Sequence, residues 1–72
     1  MKYAVVFEPT STGYSAYVPD LPGCVATGAT RDQVEERIGE AIAFHLKGLR
    51  LDHASVPEPS AWTALVEAQP AG

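Results

Sequence analysis

At 72 residues the chain has room for one small domain and no more. A domain of this size buries only about 60% of the surface its unfolded chain exposes, so a 46% apolar share implies that a partner or a second copy completes some of the burial. Nine acids against five Lys and Arg give a net charge of −4. The five Lys and Arg are scattered, so the clustered positive charge that binds a phosphate backbone is missing, and the acidic balance suits solubility or a basic protein partner.

The N-terminal "MKYAVVFEPT" is too short for a signal segment and reads as a strand. No run approaches the roughly 18 apolar residues of a membrane span. A single cysteine excludes an intrachain disulfide, and a cytoplasmic location is expected.

"KYAVVFE" alternates Tyr3, Val5 and Phe7 against Ala4, Val6 and Glu8. Both sets are mostly apolar, which predicts a strand well inside a sheet. "PTSTG" is turn chemistry, with Gly13 free to take a positive φ, and "YSAYV" follows as the second strand of an antiparallel hairpin. "PDLPG" interrupts, and "CVATGA" predicts a third short strand in which Gly28 admits a close neighbour.

The clearest element is "TRDQVEERIGEAIAFHLKGLR". Thr30 is a good N-cap, and Gln33 three residues on completes a capping-box pattern. Val34, Ile38, Ala41, Ile42, His45, Leu46 and Leu49 recur at spacings of three and four, which makes one apolar stripe. Acids gather in the first half and Lys47 and Arg50 near the end, as the helix dipole favours. Gly39 allows the close approach of another backbone, and Gly48 is an early end or a weak spot. The helix is expected to run to about Arg50. Pro57 and Pro59 then force "DHASVPEPS" out of helical geometry. "WTALVEA" offers a last strand with Trp62, Ala64 and Val66 on one face, and residues 69–72 are expected to fray.

The reading is a single α+β domain over residues 1–68 in the order β-β-β-α-β. It is a small, mainly antiparallel sheet with one helix packed on one face. The second face is expected to carry Ala4, Val6 and Tyr17, and an uncovered apolar face calls for a partner.

No catalytic constellation is visible. His45 and His53 match no short zinc pattern. Cys24 opens a strand, where a small buried residue is the usual occupant rather than a nucleophile. Glu8, Asp20, Glu40 and Asp52 would have to converge for a two-metal nuclease, and nothing in their spacing makes them do so. No catalytic residue, metal ligand or cofactor is assigned. Tyr14 and Tyr17 lie on opposite faces of one strand, so one faces away from the helix, as an interface anchor or as a second core layer. In "VPDLPGC" the prolines and Gly23 explain a reversal, and Cys24 restarts pairing. Asp20 and Leu21 are left without a structural duty. Leu21 is expected to be exposed on its loop, and Tyr14, Tyr17, Asp20 and Leu21 are the expected partner contacts.

"GYSAYVPDLPGCVATGATRDQVEERIGEAIAFHL" followed by "VPEPS" resembles the HicB-type antitoxin domain, over Tyr3 to about Val66. The pieces are short, but their combination is specific. The resemblance implies a partial RNase H-like fold and a basic, RNA-cleaving HicA-type toxin as partner. In that family the antitoxin covers the toxin's active site, and members commonly form dimers or larger assemblies. Many members add a C-terminal helix-turn-helix or ribbon-helix-helix. "EAQPAG" has no room for one, so direct DNA binding is not expected. Two alternatives stand beside toxin neutralisation: an orphan oligomeric scaffold without a toxin, and a minimal metal-dependent nuclease.

Overall fold

The computed structural model describes residues 1–70. Three strands, β1 (Val6–Pro9), β2 (Tyr14–Tyr17) and β3 (Val25–Gly28), precede one helix, α1 (Arg31–Leu51). The sheet is antiparallel in the order β1-β2-β3. Its register sets Phe7, Ala16 and Ala26 in one row and Val6, Tyr17 and Val25 in a row on the opposite face. The α+β class is as the sequence predicts.

The ladder is shorter than the apolar alternation. Residues 2–5 continue the "KYAVV" pattern but have no partner in the sheet, because β2 ends at Tyr17. There the chain turns away, with the Val18 amide donating to the Cys24 carbonyl at 3.2 Å.

The helix starts where its cap chemistry places it. Thr30 is extended, and its hydroxyl accepts from the Gln33 amide at 3.1 Å. The Gln33 side chain reaches back to the Ala29 amide at 2.7 Å, one residue before the cap. The reciprocal pair thus satisfies two otherwise orphaned donors. The helix ends in a Schellman arrangement: the His53 amide donates to the Arg50 carbonyl and the Ala54 amide to the Leu49 carbonyl. His53 holds the left-handed position with φ of 54°, so this histidine is a cap residue.

Val34 and Ile38 are the helix residues that reach the fully buried core. They meet Ala16, Val18, Leu21 and Cys24, with Tyr3, Val5, Tyr14, Ala41, Ile42 and Leu46 packed around them. The helix lies over β2 and β3. Phe7 shares the helix-facing side but stays 42% exposed, because β1 lies beyond the helix. A 21-residue helix is about 30 Å long, whereas four-residue strands span roughly 13 Å. The second half of α1 extends past the strands, with Ala41, Ile42 and Leu46 still packed on the core and Phe44 and Leu51, which lie off the apolar stripe, exposed.

Two glycines set the close approaches. A Cβ on Gly28 would lie 2.8 Å from the Val34 amide nitrogen, so helix and β3 touch backbone to backbone. A Cβ on Gly13 would run into the Gly28 carbonyl; the residue keeps a negative φ, so its role is this contact rather than a left-handed turn. Gly39 and Gly48, by contrast, face open space, and the helix runs through both.

The expected last strand does not form within one chain. After the helix, residues 54–70 have no regular structure, and Trp62, Leu65 and Val66 are exposed. Strand propensity is realised only against a neighbouring strand, and this segment has none here. The expected frayed tail, 69–72, lies partly outside the described residues.

Gly28→Ala tests the helix seat. Backbone cannot yield as a side chain does, so the variant should lose about 1–3 kcal/mol in urea unfolding. An unchanged midpoint would mean that the helix is not seated on β3 at this point.

Candidate functional site: the β2–β3 loop and the uncovered sheet face

The loop between β2 and β3 is two consecutive turns. In the first, the Leu21 amide donates to the Val18 carbonyl; in the second, the Cys24 amide donates to the Leu21 carbonyl, both at 3.0 Å. Pro22 and Gly23 occupy the central positions of the second turn. Gly23 has φ of 84°, the pairing that a type II turn favours. Leu21 is the shared corner, and both turns direct it inward.

Leu21 is therefore core, with no exposed surface. The expectation of an exposed loop leucine is overturned: a residue between two prolines looks like a loop tip in sequence, but the double turn folds it under the helix. Val18 and Cys24 flank it, also buried. Burial pushes the Cys24 thiol above its ordinary pKa, which keeps it protonated and unreactive at neutral pH.

Asp20 points the other way and does have a structural duty. One carboxylate oxygen accepts from the Ser60 hydroxyl at 2.8 Å. The other accepts from the amides of Ser60 at 2.9 Å and Ala61 at 3.0 Å. The "PDLPG" and "P-x-P-S" stretches, forty residues apart, thus form one clamp. A second tie lies nearby, where the Tyr3 hydroxyl donates to the Pro57 carbonyl at 2.6 Å. The backbone amides of Ser60 and Ala61, and then the Ser60 hydroxyl, hold the Asp20 carboxyl below its ordinary pKa. Hydrogen bonds to the charged form have this effect.

The two tyrosines separate as the alternation predicts. Tyr14 is half-buried on the helix side, packed against the core, and borders an open polar groove with Thr10, Thr12 and Arg37. Tyr17 is 41% exposed on the uncovered face. It forms the middle of the row Val6–Tyr17–Val25, with Val25 63% exposed. The next row, Glu8–Ser15–Thr27, is polar. The face therefore offers an apolar bar beside an acidic and hydroxylated strip, a surface suited to binding a protein.

Among the described residues, no three His, Cys, Asp or Glu side chains gather as a metal site. The acids weighed for a nuclease, Glu8, Asp20, Glu40 and Asp52, are accordingly not brought together, and Asp20 is spent on the clamp. No helix among the described residues is long and apolar enough to cross a membrane.

The model of the HicB-like antitoxin of bacterial toxin–antitoxin systems matches residues 3–71. This chain belongs to that family. It is 33% identical over 69 residues to a UPF0150 protein of Thermoplasma acidophilum, covering 94% of this chain and all of that one. It is 36% identical over 58 residues to an uncharacterised 14.9 kDa protein of Haemophilus phage HP1, covering 81% of this chain but only 44% of the phage protein. In three dimensions it superposes on a chain of the solved HicA3–HicB3 toxin–antitoxin complex with a TM-score of 0.72 and 28% identity. That match spans 82% of this chain and 70% of the other. In this chain, then, the two proline-rich stretches make the Asp20 clamp, and the leucine between the prolines fills the core.

Two predictions follow from the loop. Leu21→Asp should collapse the circular dichroism spectrum, and Leu21→Ala should cost about 2–4 kcal/mol; a native L21D would contradict the buried corner. The clamp is pH-dependent. Since folding lowers the Asp20 pKa, its contribution is fully present above the unfolded-state value and lost as pH falls through the lower folded value. The Ser60 and Ala61 amide resonances should therefore titrate together in acid, and Asp20→Asn should remove that titration. Amides that stay flat in the parent protein would show that Asp20 does not hold them.

Proposed function

We propose that this protein is an antitoxin that neutralises a HicA-type, RNA-cleaving toxin by binding over its active site. Membership of the HicB-like family supports this reading, as does the superposition on a chain of a HicA–HicB complex. The protein acts by binding rather than by catalysis, in the cytoplasm where messenger RNA is cut. The contact surface is the uncovered face, with Tyr17 and Val25 as its apolar anchors. Tyr14 borders the adjoining groove, and Asp20 and Leu21 contribute by shaping the loop beside the face. The net charge of −4 suits a basic toxin, since opposite charge speeds encounter and sets register. Copies of the chain also self-associate, because nine large apolar side chains are exposed among the described residues.

Co-expression with the small basic protein encoded beside this gene tests the reading. The neighbour alone should arrest growth, and the pair should grow. Tyr17→Asp with Val25→Asp should abolish rescue while leaving the circular dichroism spectrum native. Loss of one aromatic anchor costs about 2 kcal/mol, roughly thirtyfold in affinity. A neighbour that is harmless alone, or that stays toxic beside the parent protein, would refute neutralisation.

A further inference from the structure

The most exposed apolar side chains are at the end of the chain. Trp62, Leu65 and Val66 are 81%, 105% and 86% exposed. Their segment leaves the fold at Ala61, where the Asp20 clamp holds the last anchored amide. Pro57 and Pro59 keep the preceding stretch extended, so the segment is presented as an arm. The shape agrees. The radius of gyration is 14.6 Å and the longest dimension 54 Å, whereas a compact chain of this length has a radius near 11 Å.

The arm has the composition of a strand without a sheet. In an extended chain Trp62, Ala64 and Val66 share one side and Thr63 and Leu65 the other, so each side carries at least one large apolar residue. A matching vacancy exists in the sheet. β1 pairs only with β2, which leaves its outer edge open. The other edge strand, β3, is partly covered, because Arg37 donates to the Thr27 carbonyl at 3.1 Å. Glu8 and Pro9 blunt the far end of β1, as charged residues and proline do at edges. Tyr3–Phe7, of which Val6 and Phe7 belong to β1 and Tyr3–Val5 run on ahead of the ladder, carries neither. Phe7 is part-exposed on the helix side of this edge, and Val6 lies on the other side. An added strand that is apolar on both sides would meet an apolar neighbour on each face.

We propose that Trp62–Val66 of one copy adds as a fourth strand along the Tyr3–Phe7 edge of a second copy, reciprocally, in a two-fold dimer. This deepens the self-association reading above and rests on it. The occupant is a second copy because donor and acceptor are both present, and both unpaired, in every chain. A two-fold exchange satisfies all of them at once and closes, leaving no free edge of this kind. Pairing also supplies the partners that the backbone amides and carbonyls of both segments lack.

The test uses the full chain. Trp62 is its only tryptophan, so emission reports the arm directly. Multi-angle light scattering at high micromolar concentration should give a dimer. Emission should shift to the blue as concentration rises from nanomolar to that range. In a mixture of labelled and unlabelled copies, filtered NOEs should connect the arm of one copy to the β1 edge of the other, with Trp62 and Leu65 on opposite faces, one beside Phe7 and the other beside Val6. Leu65→Pro deletes a ladder amide and an apolar side chain. It should weaken dimerisation at least about thirtyfold and hold emission at the water-exposed position. The circular dichroism spectrum should stay native, since the arm makes no core contact. A dimer that survives Leu65→Pro overturns strand exchange while sparing self-association. A monomer at every concentration overturns both. Blue emission independent of dilution means that the arm folds onto its own copy, which also overturns the exchange.

Discussion

Three donors converge on the carboxylate of Asp20, and the path of the chain after the helix depends on them. Without that anchor, the segment beyond the helix cap would be joined to the body only through the Tyr3–Pro57 bond. With it, the β2–β3 loop, the approach to β1 and the post-helix segment become one unit. The clamp requires Asp20 to face outward, and Asp20 faces outward because its neighbour Leu21 is pulled fully inward by two fused turns. A buried leucine and a hydrogen-bonded aspartate at adjacent positions are two results of one backbone geometry.

The core that this geometry completes is small. Among the described residues six are fully buried and apolar, and three of them, Val18, Leu21 and Cys24, lie outside the ladder in or beside the loop. The sheet is four residues deep, yet the helix runs for 21. A short sheet cannot cover a long helix, and one helix seated over β2 and β3 cannot cover β1. Exposed Phe7 follows from that mismatch, whereas Phe44 is exposed because it lies off the apolar stripe of the helix. The Val6–Tyr17–Val25 row is bare for a different reason: it lies on the sheet face opposite the single helix.

Local features were legible in the sequence because local physics decides them. The Thr30 cap, the Gln33 return, the apolar stripe through Val34 and Ile38, and the backbone contact at Gly28 all depend on spacings within one element or at its end. The opposite facing of Tyr14 and Tyr17 depends only on the two-residue period of a strand. Leu21 was misjudged because prolines on both sides mark a turn without marking its inward corner. The structural duty of Asp20 is not legible in the sequence, because its partners lie forty residues away and no local pattern announces a clamp of that span. Its one signal was that the two stretches it joins are the proline-rich parts of the family signature.

The final segment was misjudged for a different reason. "WTALVEA" has strand composition, and the sequence reading gave it a place in the sheet. Composition sets what a segment can pair with, but pairing needs an edge in reach. Once Ser60 and Ala61 are fixed beside the β2–β3 loop, the segment projects from the chain's own body with its apolar residues in water. Burying them would recover about 25 cal/mol for each Å² covered, and a chain with so thin a core has little other apolar burial to draw on. Strand propensity beside an open β1 edge is therefore best read as two halves of one interface, divided between copies by the anchor at Asp20.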